Sequence, residues 1–301
     1  MPAAMAERAP QTRNVAFEQF LAWYFVSVWG SGYLATKVGL QYAPPFTFLS
    51  LRFAFGLFCL ALLVAVTRPS FPKSRRELGH LAAAGVLMHA ANLGGSHYAQ
   101  YLGMSAGVVA LILALQPLVT AAIAARWMRE VLASAQWLGV VLGFAGVALV
   151  VWYKIDVRAI TWGSLAAVFT SLAAITAGTL YQRVFLPGAD LWAGALVQFA
   201  VTLAVLAPLA VAVEGFPVSW SWPLAGSIAF LVILASIFAV NALHTLMRRG
   251  AATRVTSLLY LTPLIAVALE YVMFGVEPGL LTLAGVVVTC MGVALVSWRE
   301  R

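Results

Sequence analysis

The chain has 301 residues, of which 63% are hydrophobic and 9% charged, against roughly 25% charged in soluble domains. That balance excludes a soluble globular domain and implies an integral membrane protein. The net charge of +8 does not mark a nucleic-acid binder, because the basic residues follow membrane topology rather than gathering into a patch.

A bilayer crossing takes about 20 mostly apolar residues. Runs of that kind lie near 17–36, 46–66, 77–99, 105–125, 135–152, 161–181, 190–213, 221–244, 254–274 and 280–298. The expected fold is therefore an all-α membrane protein of ten transmembrane helices. With the N-terminus in the cytoplasm, cytoplasmic segments hold Arg8, Arg13, Arg68, Lys73, Arg75, Arg76, Arg126, Arg129, Arg183, Arg248, Arg249, Arg254, Arg299 and Arg301, while the other side holds only Lys37, Lys154 and Arg158. By the positive-inside rule both termini are expected in the cytoplasm of a bacterial-type inner membrane. Cys59 and Cys290 fall inside predicted spans with neither disulfide nor metal spacing, so no metal or cofactor is expected.

The segment from Ser105 to Trp152 is repeated from Ala251 to Trp298 at an offset of about 146 residues. Gly146-Val-Ala-Leu-Val-Val-Trp152 returns as Gly292-Val-Ala-Leu-Val-Ser-Trp298. Five crossings per copy reverse the second, which predicts two inverted-topology five-helix repeats. The chain divides into a tail over 1–16, repeats over 17–153 and 154–298, and a tail over 299–301. Duplicated hydrophobic halves are the sequence signature of a secondary transporter with its substrate between the bundles.

The first span carries Trp29-Gly-Ser31 and Lys37; after Pro44-Pro45 the second opens and carries Arg52-Phe53. This run, WGSGYLATKVGLQYAPPFTFLSLRF, resembles the opening of the EamA family of the drug/metabolite transporter superfamily. Within the family the chain is most similar to the aromatic-amino-acid exporter branch. The likeness extends over essentially the whole chain, since each half also ends with a Pro in its fourth helix and Gly-Val text in its fifth. The second half departs from the opening motif, with Gln198-Phe199 in the register of Arg52-Phe53. The resemblance implies a membrane exporter of amino acids and similar metabolites.

Arg52 lies about 9 Å deep at a helical rise of about 1.5 Å per residue. Such a charge needs a partner or water. It either snorkels to the headgroups or serves an outer gate, coupling or a positive cavity potential, paired with Glu270 near the outer end of the ninth span. Glu270 is read as the acidic residue well within a span and so as the candidate for proton coupling.

In the third span His89, Asn92 and Ser96 share one helical face with Gly85. A polar stripe must face protein or a cavity rather than lipid, either as interhelical glue or as cavity lining. Tyr98 follows at its outer end, and His97 has a counterpart in His244. Gln116-Pro117 in the fourth span and Thr262-Pro263 in the ninth are expected to kink their helices mid-membrane, at a gate or simply as bundle shape. Gly139, Gly143 and Gly146, echoed by Gly285, Thr289 and Gly292, form ridges that predict close packing of the fifth and tenth spans away from the substrate. Most Trp residues, Trp192 among them, fall near span ends as an interfacial belt, whereas Trp29 and Tyr260 lie deeper and, with Tyr98, are candidates for a stacking surface, His89, Asn92 and Gln116 being the candidates to hydrogen-bond the ends of a zwitterionic solute.

Several chemistries lack their motifs. None of Lys37, Lys73 and Lys154 sits in a phosphate-binding GxxxxGK[ST] loop, and no HExxH occurs. Gly103-Met-Ser105-Ala-Gly107 matches the GxSxG string, but between two membrane helices rather than on a strand-to-helix elbow. Three readings follow: an exporter of neutral amino acids, aromatic or large and apolar, and related small metabolites, working as a monomer or homodimer in the bilayer; an antiporter of nucleotide sugars or phosphates, which would want more intramembrane cations; and an intramembrane enzyme using Ser105, or a structural subunit.

Overall fold

In the computed structural model, which describes residues 15–127, 131–156, 160–248 and 261–297, helices and short connections account for every described residue and no strand occurs among them. Helix α1 spans Val15–Gly39 and α2 Pro45–Thr67. Helix α3 (75–101) joins Arg75–Gly85 to Asn92–Tyr101 through a π-helical stretch, Val86–Ala91. Helix α4 covers Ala106–Trp127 and is broken at Ala114 and Leu115. Helices α5 (Ser134–Asp156) and α6 (Trp162–Phe185) precede α7 (Leu191–Glu214). Helix α8 (222–248) contains a π-helical stretch, Phe230–Ala239, and α9 (Thr262–Phe274) and α10 (Leu280–Ser297) complete the set.

Side chains start several helices by taking up otherwise orphaned N–H groups. Ser74 accepts from Glu77, Thr161 and Ser164 form a reciprocal capping box, and Asp190 accepts from Trp192 and Ala193. Each such cap is worth about 1 kcal/mol.

Six helices, α2 and α4 to α8, are long and apolar enough to cross a membrane by length and composition. The expectation of ten full spans is thus met by six. Helices α1 and α3 fall below that apolarity because they carry Ser, Gly, Trp and the His89 face, and α9 and α10 are shorter apolar helices among the described residues. The connections alternate between two ends of the bundle. One holds Lys37, Ser105, Glu214 and Glu270; the other holds the α2–α3 and α6–α7 connections and Asp190.

The expected ridge pairing is present. A side chain on Gly139 would meet the Gly292 carbonyl and one on Gly146 would meet the Gly285 carbonyl, so both positions must stay bare for α5 and α10 to touch. Between them Thr289 donates to the Gly143 carbonyl at 3.4 Å and to its own helix at Gly285. Gly139 faces Gly292 while Gly146 faces Gly285, which makes the two helices antiparallel with reciprocal contacts. Equivalent residues also meet where α2 crosses α7: Phe53 and Phe199 lie edge to face with centroids 4.8 Å apart. The π-helical stretches of α3 and α8 occupy the same register at an offset of 146 residues.

Replacing Gly292 with Ala forces the backbones of α5 and α10 apart and should cost about 1–3 kcal/mol, read as a lower Tm in detergent. Gly79→Ala, where the new methyl meets nothing within 4 Å, should leave Tm unchanged or raise it by helix propensity alone.

Candidate functional site

A cavity of about 440 Å³ runs through the centre of the bundle. Its walls come from α1 to α4 and α6 to α8; among its lining residues none belongs to the α5–α10 ridge pair. Toward one end it reaches Thr36, Ser96, His97 and Gln100, and toward the other Gln182, Asp190, Trp192 and His244. The volume lies within the roughly 300–1,000 Å³ usual for small-molecule sites.

The π-helical stretch of α3 carries His89, whose Nε2 donates to Gln198 Oε1 at 3.1 Å. Phe53 and Phe199 flank that imidazole, with centroids at 5.6 and 5.2 Å. Across the cavity Arg52 donates from its guanidinium to Ser236 Oγ at 3.3 Å, and Ser236 sits in the π-helical stretch of α8. Residues 146 apart thus make similar bonds: Arg52 of α2 bonds α8, and Gln198 of α7 bonds α3. Trp29, on α1, lines the same space and packs on Phe25 at 5.3 Å.

Asn92 lines the cavity but is also glue. Its Nδ2 donates to the Met88 carbonyl at 3.0 Å and its Oδ1 accepts from Ser171 of α6 at 2.8 Å. Gln116 donates to Thr120 and to Thr179 of α6. His97 uses both ring nitrogens, toward Thr36 and Ser96, each at 3.3 Å.

Glu270 is 3% exposed and is not paired with Arg52, which corrects the expectation. Its Oε1 lies 2.6 Å from Lys37 Nζ and accepts from Ala106 N–H at 3.1 Å, while Oε2 accepts from Gly107 N–H at 2.9 Å. The carboxylate therefore closes on the first turn of α4, whose axial dipole favours a negative charge there. Lys37 also lies over the Phe274 ring at 4.4 Å. A residue of α1, one of α9 and the start of α4 are tied at a single point, and Gln100 stands between it and the main cavity. Glu270 is not alone as an acidic residue in a helix: Glu18 in α1 is buried as well. Glu214, at the end of α7, accepts from the Phe46 and Thr47 N–H groups at 2.9 and 2.7 Å and so caps α2.

Other expectations shift. Pro117 follows the break of α4 at Ala114 and Leu115, where a proline that offers no N–H to the Leu113 carbonyl bends a helix, as expected. Pro263 stands second in Thr262–Phe274, and the chain before Leu261 lies outside the described residues. Tyr98 is not among the cavity-lining residues; it stacks on Phe46 at 6.0 Å. Trp192 lines the cavity instead of joining the outer belt, while Trp127, Trp152 and Trp222 do face outward. Tyr260 lies outside the described residues. Ser105 caps α4, accepting from Val108 N–H at 3.3 Å, so the GxSxG string starts a helix and forms no elbow. Sequence reasoning missed Gln198 and Ser236 as cavity groups. The signal for Gln198 was its register with Arg52.

Apolar helices, six of them long enough to cross a membrane, surround a mainly apolar cavity that also holds His89, Asn92, Gln116 and Gln198, an arrangement that fits a membrane transport protein. The chain belongs to the EamA-like transporter family, whose model matches residues 17–152 and again 159–298. It is 26% identical to YvbV, an uncharacterized transporter of Bacillus subtilis (strain 168), over 98% of this chain and 95% of that protein. It is also 26% identical to YedA, an uncharacterized inner membrane transporter of Escherichia coli (strain K12), over 80% and 78%. A probable amino-acid metabolite efflux pump of Salmonella typhimurium (strain LT2) is 25% identical over 91% and 92%. A solved crystal structure shares the fold, with a TM-score of 0.64, 16% identity and coverage of 93% and 96%.

Glu270→Ala would leave Lys37 and two N–H groups without their carboxylate and should cost about 3–5 kcal/mol. Glu270→Gln keeps an acceptor for the helix start and should cost less, the two being compared by thermal unfolding in one detergent.

Proposed function

We propose that the protein exports neutral amino acids with aromatic or large apolar side chains, and related small metabolites, across the inner membrane by alternating access. The observation that carries this reading is the make-up of the cavity. It sets amide and imidazole groups of His89, Asn92, Gln116 and Gln198 beside an aromatic wall of Trp29, Phe53 and Phe199. A zwitterion needs hydrogen-bonding groups for its ends and an apolar surface for its side chain. Offset or edge contacts between aromatic rings add about 0.5–1.5 kcal/mol per pair. The Salmonella relative, named as an amino-acid metabolite efflux pump, points the same way.

In this reading the ten helices form two inverted five-helix repeats, supported by the antiparallel reciprocal packing of α5 on α10 and the meeting of Phe53 with Phe199. The end carrying Asp190 is cytoplasmic, since Arg68, Lys73, Arg75, Arg76 and Arg183 gather there, and both termini lie on that side. Solute enters from that end while Lys37, Glu270 and the start of α4 keep the opposite end shut. The outer gate is this ion pair, and Pro117 and Pro263 set the helix starts about which the gate moves.

Purified protein in liposomes should exchange phenylalanine, tryptophan or methionine, and His89→Ala should slow that exchange about tenfold or more, the cost of one hydrogen-bonding group to a charged solute. Exchange of nucleotide sugars with none of any neutral amino acid would refute the reading. Pro117→Ala should reduce flux more than binding, and a cysteine placed at Ser70 should be labelled only from the cytoplasmic side.

A further inference from the structure

Arg52 lines the main cavity, and among the described residues its guanidinium makes a single hydrogen bond, to Ser236 Oγ at 3.3 Å, and no ion pair with a carboxylate. Its ring neighbour Phe53 lies 5.8 Å away. Three acidic side chains of the bundle are committed elsewhere: Glu270 to Lys37 and α4, Glu214 to the start of α2, and Asp190 to the N–H groups of Trp192 and Ala193. A guanidinium offers five N–H donors in a planar fork, and holding that charge inside a membrane protein is costly unless something answers it.

The pseudo-equivalent position shows that packing alone does not call for a cation. Gln198, in the same register on α7, makes the matching bond across to α3 with a neutral amide, at 3.1 Å. At the α2 site the central pair departs from symmetry by a full positive charge facing the cavity. Around it stand Trp29, Phe53, His89 and Phe199, a wall suited to a large apolar body. Two buried amide oxygens without hydrogen-bond partners among the described residues, Gln100 Oε1 and Gln182 Oε1, belong to residues lining the same cavity and are acceptors suited to an N–H donor of a solute.

We propose that Arg52 is the receptor for the carboxylate of the transported solute, taking it through the fork of its guanidinium, so that the cavity selects monocarboxylates with a bulky apolar body over the corresponding amides and amines. This rests on the amino-acid exporter reading for the identity of the solute, but not for the role of the charge. A carboxylate in the fork makes two parallel charge-assisted bonds, and a lysine in its place keeps the charge while losing the fork.

The test is calorimetric titration of purified protein with four probes: phenylalanine, phenylalaninamide, phenethylamine and 3-phenylpropionate. The wild type should bind the two carboxylates about tenfold or more tighter than the amide and the amine, the range of one charge-assisted pair. Arg52→Gln copies the residue at the equivalent position and is expected to fold; in it that ratio should fall to near one, and Arg52→Lys should recover part of it. Loss of the ratio in Arg52→Gln supports the proposal. An equal ratio in wild type and Arg52→Gln, or a wild type indifferent to the carboxylate, overturns it. Should the wild type bind 3-phenylpropionate but not phenylalanine, with the preference lost in Arg52→Gln, the amino-acid reading fails while the role of Arg52 stands. A wild type that binds none of the four overturns both. Should Arg52→Gln fail to fold, the acid-to-amide ratio of the wild type and of Arg52→Lys still decides the matter.

Discussion

A carboxylate removed from water must be answered from every side, and Glu270 is. Lys37 supplies the charge, Ala106 and Gly107 supply the N–H groups at the head of α4, and Gly107 leaves room for the approach because a Cβ there would press on Val267 and the carboxylate itself. Three helices from both matched segments meet at this point. The helix start gains a cap and a favourable dipole contact, while the lysine gains a partner and an aromatic face. Glu214 repeats the device nearby at the head of α2. Both carboxylates come from the second segment and both grip helices of the first, so one end of the bundle is held by polar clamps across the halves. Asp190, at the other end, spends itself on its own helix.

Much of this architecture was legible from residue spacing. The Gly139-Gly143-Gly146 ridge and its echo could only serve close helix contact, because small residues at that spacing in apolar text have little else to offer. The polar face of α3 was legible for the complementary reason, that lipid would not tolerate it. What spacing could not give was partner choice. Arg52 and Glu270 have opposite charge, yet Lys37, which looked like a boundary marker, takes the carboxylate. Charge is long-ranged and undirected, so a sequence reveals which groups need a partner but not which pair lies within 3 Å. Asn92 shows the same limit in another form: its spacing placed it on the cavity face, and its two bonds to Met88 and Ser171 are set by how α3 leans on α6. Pro117 was legible too: a missing N–H and a clash with the carbonyl four residues back interrupt a helix wherever it runs, and α4 is interrupted at Ala114 and Leu115.

Family membership and local chemistry carry different parts of the account. The repeated match of the family model speaks for the scaffold and for transport. In the proposed reading, selection among solutes falls to side chains where α2, α3, α7 and α8 approach one another, and there the two segments differ, Arg52 against Gln198.

The π-helical stretch in α3 has a consequence for how the chain tolerates change. Such a stretch holds one residue more than ordinary α turns would use, and everything beyond it is turned about the helix axis by that surplus, about 100° at 3.6 residues per turn. Asn92, Ser96 and His97 lie beyond it. Their orientation toward the cavity is therefore a property of how many residues occupy 86–91 as much as of which residues they are. Side-chain swaps within that stretch leave the heading of the polar face intact, whereas a single-residue deletion would swing it a quarter-turn or more toward neighbouring helices.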